Sequence, residues 1–486
     1  MEERKQLERS LKPHWVWAVA FGSAVGWGCF VQPGAWMGQA GPLGAIIGLC
    51  IGALFMIVIG LSYGTLVKHF PVSGGEFAYA YASLGRIHAY ICGWFLTLGY
   101  LSIVALNATA LALMVKYLFP SVVKHLLLYT VAGWNVYFIE IVIASLALFV
   151  FCILNIRGGG LSGKWQFIFC LILAAGVLFL GISMSISPDT SFHNIKPIFK
   201  PGTSAISGIL AMVAIAPWAY VGFDSIPQVA EEFNFSSNKA LKLIILSLVA
   251  AGLVYSLMIF VTAMSAPWQS LSTSIWGTGD GVDEVLGHVG MFVLAVALCM
   301  GIFTGINGFI VSTSRLMFAM GRARILPQAF AKLHAKYKTP YAGIIFTCSI
   351  CLLAPWFGRN ALNWIVNMSS TGVTIAYFYC CLDAYKFFRW SKQSKGDRLI
   401  APVKKAFSLL GILFSMAFLA LLVVPGSPAF LNKPAWIALI IWIIIGTIFY
   451  IINGKTFRSI PKAEMDYLIL GKESQTDNMA SLEKTN

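Results

Sequence analysis

Twelve apolar runs follow one another along the chain, near residues 15–39, 43–67, 88–118, 134–154, 165–187, 203–230, 241–266, 288–320, 341–357, 361–388, 406–424 and 435–453. A helix that crosses a bilayer needs about 20 mostly apolar residues. Inside lipid, only helices and closed barrels satisfy their own backbone groups. The runs therefore predict an all-α integral membrane protein with twelve transmembrane helices. They leave too little chain for a sizeable soluble domain. Only 11% of the residues are charged, against about 25% in a soluble protein.

The net charge of +15 is a topology signal and not the footprint of a nucleic acid. Lys and Arg gather in alternate links. The link after the eighth run holds Arg315, Arg322, Arg324, Lys332, Lys336 and Lys338 without an acid. The link after the tenth holds Lys386, Arg389, Lys392, Lys395, Arg398, Lys404 and Lys405, whereas residues 267–287 carry Asp280, Asp283 and Glu284 and no base. Basic links mark the cytoplasmic side. That rule places the tails 1–14 and 454–486, Arg157 and the 315–340 link in the cytoplasm of a multi-pass plasma-membrane protein. Anionic membrane lipid is a secondary partner.

All ten cysteines lie in apolar runs at spacings unlike a zinc site, and read as small core residues. The N-terminus does not look like a cleaved signal, and the polar stretch from Gly454 reads as a mobile tail. The chain has no phosphate loop, HExxH or GxSxG motif. No catalytic residue, metal ligand or cofactor is expected beyond a coupling ion.

Two runs are interrupted. The first contains Gly22, Gly26 and Gly28 and then Pro33. Glycine costs a helix interior about 1 kcal/mol and proline about 3 kcal/mol. One glycine would suit close helix packing; the cluster predicts a break. The sixth repeats the pattern with Pro217, Gly222 and Pro227 around Asp224, and VGWGCFVQP echoes VGFDSIPQ. The first and sixth runs open two five-run halves, about 15–187 and 203–388, with the last two runs, 406–453, to spare. Paired broken helices in two halves point to an inverted-repeat secondary transporter. Bare N–H groups at one half-helix end and bare carbonyls at another can together hold a zwitterion.

Five stretches in order, GSAVGWGCFVQPG, FPVSGGEFAYAYASLG, CGWFLTLGY, WAYVGFDSIPQVAEE and SRLMFAMGRARILP, make the chain resemble the amino acid–polyamine–organocation permeases over most of residues 14–453. The resemblance implies a LeuT-like fold with broken helices 1 and 6, a site between spans 1, 3, 6, 8 and 10, and alternating access. It implies that Gly26, Trp27 and Gly28 offer amides to a substrate carboxylate. Ala24 and residues Trp218 to Val221 would offer carbonyls to the amine. Trp27 departs from the small residue usual between the two glycines, which narrows the pocket or turns the indole away.

Asp224 has two readings. DSIPQ looks like a helix restart, with Ser225 and Gln228 as a capping box or Asp224 itself as the cap. Alternatively the carboxylate holds a substrate amine or carries a coupling proton, as an acid here does in the family it resembles. Trp218 and Phe223 are gate candidates or packing aromatics. Thr304, a coupling candidate, and Asn307, a substrate contact, line the cavity or else hydrogen-bond between helices. Asn107 and Asn363 present the same choice. Leu173 stands where some relatives carry a lysine, which leaves coupling to a proton, to sodium or to exchange.

The sequence thus predicts a secondary active transporter of an amino acid, a symporter or antiporter, monomeric or homodimeric. An amine or polyamine substrate is the alternative, and a channel or substrate sensor is a further one.

Overall fold

Proline and glycine set where the helices stop. The structure, a computed structural model, describes residues 4–131, 133–358, 360–390 and 395–471. Among the described residues nine helices are long and apolar enough to cross a membrane, from Pro42–His69 to Lys433–Gly454. Each overlies one of the apolar runs to within a few residues at most ends. The protein is an all-helical, multi-pass membrane protein. Its outer surface exposes large apolar side chains such as Leu146, Phe149, Ile182 and Ile452, as lipid contact requires.

The remaining three runs are not continuous helices. The first divides into Pro13–Ala24, Gly28–Val31 and Pro33–Ala40. The sixth divides into Ala205–Ala214, Ala216–Ala219 and Ser225–Gln228. The ninth ends early at Cys351 and continues as a 3-10 turn, Ala354–Phe357. Pro13, Pro33 and Pro217 each stand in the first turn of a segment, where a missing N–H is harmless. The long helix Gly277–Arg322 contains one non-helical residue, Gly287, with φ 58° and ψ −152°.

Small residues draw the central segments together. A Cβ on Gly22 would lie 2.7 Å from Cys170 and 2.8 Å from Thr304. The first run therefore packs directly on the fifth and eighth.

Three elements were not anticipated. A helix, Gly75–Leu84, fills the link after the second run. An antiparallel hairpin joins Leu127–Val131 to Trp134–Tyr137 beyond the third. The stretch read as a mobile tail continues its helix to Ser459 and then forms a second helix, Lys462–Leu470, which buries Met465, Leu468 and Ile469. Three apolar side chains on one face of that helix explain why it docks. The rest of that tail, 472–486, lies outside the described residues. At the other terminus, Leu7 and Leu11 are buried. Leu11 pairs with the segment after the sixth run, donating to the Glu232 carbonyl at 3.0 Å and accepting from the Asn234 N–H at 3.1 Å.

Candidate functional site

The first helix ends at Ala24, and the Val25 N–H still reaches the Phe21 carbonyl at 2.9 Å. Helix resumes at Gly28. Among the described residues, the N–H groups of Gly26, Trp27 and Gly28 find no acceptor. The two glycines serve different ends. A Cβ on Gly28 would lie 2.5 Å from Trp218 Cη2, so the indole rests on bare backbone. A Cβ on Gly26 would meet nothing nearer than Asn107 Oδ1, at 3.4 Å. That oxygen is buried and has no partner among the described residues, while Asn107 Nδ2 donates to the Ile103 carbonyl at 2.9 Å.

The second break touches the first. Gly222 has φ 132°, a conformation that favours glycine, and a Cβ there would lie 2.6 Å from the Ala24 nitrogen. The Tyr255 hydroxyl, from the helix Ala240–Ser265, lies 2.9 Å from the carbonyls of both Ala24 and Ala219. The carbonyls of Trp218, Tyr220 and Val221 receive no donor among the described residues.

Asp224 is fully buried. Its Oδ1 accepts from the Gly222 N–H at 2.7 Å, and its Oδ2 accepts from the Tyr100 hydroxyl at 3.0 Å. It makes no side-chain cap bond to the turn that follows. Ser225 lies inside that turn, and its hydroxyl has no partner among the described residues. The capping readings of Asp224 and Ser225 are therefore overturned. The backbone at Asp224 is helical, φ −71° and ψ −8°, whereas a capping residue is extended. Its carboxylate turns back to clamp the unwound segment instead.

Above the breaks opens a cavity of about 850 Å3. Its floor is the edge-to-face pair Trp27 and Trp218, with ring centroids 6.2 Å apart. Gln32, Trp36, Tyr117, Trp276, Asn367 and Ser370 are among the residues of its walls. Below the breaks the protein is closed. Phe223 packs against Tyr63 at 5.1 Å and Tyr377 at 5.5 Å. Buried Glu76 accepts from Gln228 Nε2 at 2.5 Å. Farther down, Glu232 receives Arg315 Nε at 2.7 Å and Nη2 at 3.1 Å. Glu231 binds Arg322 at 3.0 Å and Arg4 at 3.2 Å, and accepts the Ser73 N–H at 3.1 Å. Burial alone would raise the Glu231 carboxyl, but Arg322 and Arg4 outweigh it and hold the group at about 2.

The family model for amino acid permeases matches residues 15–448. The chain belongs to that amino acid permease family. It is a membrane transporter and not an enzyme. Among similar proteins are two from Bacillus subtilis (strain 168), a methylthioribose transporter and the branched-chain amino acid permease BcaP. Each is 24% identical to the permease, over 480 and 485 residues respectively, and each match covers 93% of this chain and 94% of the relative. The human large neutral amino acids transporter small subunit 2 is 25% identical over 374 residues, covering 74% of this chain and 67% of its own.

Of the residues singled out from the permease sequence, Trp27 and Trp218 line the cavity. Ala24, Gly26, Gly28 and Val221 form the breaks. Phe223 and Asp224 lie on the closed side of the second break. Thr304 and Asn307 are fully buried and do not reach the cavity. Asn307 Nδ2 donates to Gln166 Oε1 at 2.7 Å, and its Oδ1 accepts from Asn155 at 2.8 Å and Ser162 at 2.9 Å. The Thr304 hydroxyl donates to the Gly301 carbonyl of its own helix at 2.9 Å. Every polar atom of Asn307 is thus occupied between helices, while the Thr304 hydroxyl keeps its acceptor side. The Asn363 side chain lies outside the described residues.

Sequence reasoning missed Tyr100, Tyr255 and Glu76. It read Arg315 and Arg322 as topology markers and did not foresee that both are buried and paired. The adjacent acids Glu231 and Glu232, directly after a broken run, were the available signal.

Proposed function

We propose that the permease is a secondary active transporter that moves an amino acid by alternating access through a LeuT-like inverted repeat. Nine long helices and three interrupted runs, counted together, support twelve crossings. The interrupted first and sixth runs open the two halves. One observation carries the reading: among the described residues, N–H groups at Gly26 to Gly28 and carbonyls at Trp218, Tyr220 and Val221 lack partners, in two breaks that meet where Gly222 abuts Ala24. The substrate carboxylate binds the amides and its ammonium the carbonyls, as two half-helix ends of opposite polarity allow. The Trp27 and Trp218 indoles bound the side chain.

An open cavity on one face and ion pairs on the other are what one state of an alternating-access cycle requires. The basic links make the sealed face cytoplasmic, with both termini there and the cavity facing outward from the plasma membrane. The similarity to permeases named for branched-chain and large neutral amino acids favours a neutral amino acid. Asp224, bonded to Gly222 and Tyr100, acts as the coupling proton's acceptor and not as the amine's partner.

Counterflow in proteoliposomes tests this. Labelled neutral amino acids should enter saturably and faster when unlabelled substrate is inside. Uptake that never saturates and shows no counterflow would refute the carrier. Accelerated uptake of polyamines alone would replace the substrate.

A further inference from the structure

We propose that the sealed face carries a second site, for a phosphate-class anion, which clamps the N-terminal strap to the body of the permease. A hollow of about 810 Å3 opens there, outside the transport path. Three separate pieces of chain wall it: Arg4 and Lys5 of the strap, Lys332 and Lys338 of the link after the eighth run, and Tyr467 of the docked C-terminal helix. Four cations line the hollow and no carboxylate does.

These cations differ from ordinary surface lysines in two respects. First, Lys5, Lys332 and Lys338 are exposed, and their ammonium groups meet no acid within ion-pair distance among the described residues. Converging like charges repel unless a counter-ion joins them. Second, the wall between them is a buried guanidinium whose Nε donates to the Leu468 carbonyl at 3.3 Å and whose carboxylate partner is shared. Arg4, 8% exposed, shares the single carboxylate of Glu231 with Arg322. Two buried cations on one anion leave an excess positive charge, which is costly until something neutralises it. Burial and the neighbouring Arg322 accordingly lower the Arg4 pKa.

A group with several anionic oxygens answers both needs, because each cation can take its own oxygen in a charge-assisted hydrogen bond. The Tyr467 hydroxyl accepts the Arg4 N–H at 3.3 Å and keeps its own proton to donate. Tyr341, which also lines the hollow, begins the ninth apolar run, so the hollow sits at the height of lipid headgroups. A phospholipid phosphate and a soluble phosphate share the required chemistry. Either one binds the assembled strap, link and helix together. By differential affinity it favours the state in which they are assembled.

The test uses the full-length permease in neutral detergent. Thermal unfolding is followed with short-chain phosphatidylglycerol, short-chain phosphatidylcholine, inorganic pyrophosphate or chloride at matched ionic strength. The wild type should gain several degrees in Tm with phosphatidylglycerol or pyrophosphate relative to phosphatidylcholine and chloride. Amide exchange of residues 4–12 should slow in parallel. The triple variant Lys5→Gln, Lys332→Gln, Lys338→Gln should lose both responses. Without anion its own Tm should stay at or slightly above wild type, because three exposed, mutually repelling cations are removed. Lys336→Gln, beside the hollow but outside it, should respond as wild type does. A gain with both anions assigns the phosphate group itself; a gain with phosphatidylglycerol alone assigns a lipid headgroup. No anion-specific gain, an equal gain in the triple variant, or a gain without slower exchange in residues 4–12 overturns the proposal.

Discussion

The first and sixth runs break at corresponding places by opposite means. The first breaks by subtraction: glycines remove side chains, the helix stops at Ala24, and three N–H groups are left bare. The sixth breaks by substitution. Pro217 and Gly222 loosen the helix, and then Asp224 and Tyr100 take hold of the unwound segment. For the zwitterion site proposed above, this division has a use. One wall offers unmet donors, and the other is braced well enough to keep its carbonyls in place.

The largest expected effect tests the bare wall. Gly26→Leu should lower uptake on the order of 100-fold or more, as misplacing a bound group does, while Tm stays near wild type. The first carbon of the new side chain meets only Asn107, at 3.4 Å, so its effect falls on the bare amides beside it. Normal uptake by this variant would mean that cargo does not rest on those amides.

The braced side comes next. Glu232→Ala strands buried Arg315 and should cost about 3–5 kcal/mol, read as a lower Tm and as easier labelling of the sealed face. A Tm within one degree of wild type would remove the ion pair from the seal.

Within the brace itself, Tyr100→Phe removes a hydrogen bond to a buried carboxylate and should cost about 1.5–3 kcal/mol. Asp224→Asn should cost less, because its side-chain oxygen still accepts the Gly222 N–H. It should flatten the dependence of uptake on pH all the same. Superimposable uptake profiles for Asp224→Asn and wild type would leave the residue a brace with no part in coupling.

A last comparison uses acid. The Glu231 carboxyl is depressed from 4.5 to about 2. Its contribution to stability is therefore complete above pH 4.5 and is lost as pH falls toward 2. Glu231→Gln should flatten the decline in Tm between pH 5 and pH 3. An unchanged slope would assign acid sensitivity to other groups.

The apolar runs and both breaks were legible because length and composition alone force them. Trp27 and Trp218 were legible as neighbours of breakers. Tyr100 and Tyr255 were not, since a tyrosine in an apolar helix looks the same whether its hydroxyl meets lipid headgroups or a carbonyl on another helix. Asn307 misled for the complementary reason: a polar residue in a span announces a partner without naming it, and the partners came from residues 155, 162 and 166. Arg315 and Arg322 were counted for topology, yet each is held in a buried ion pair, and a one-dimensional count does not separate the two roles.

Tyr255 reaches a carbonyl in each break, yet a hydroxyl has one proton to give. At any instant one of the two half-helices is therefore short of a donor. The shortage passes between them by a small rotation of the O–H and needs no movement of the ring. The permease thus keeps its two breaks in turn-taking contact, and a cargo that brings its own N–H can relieve whichever one is waiting.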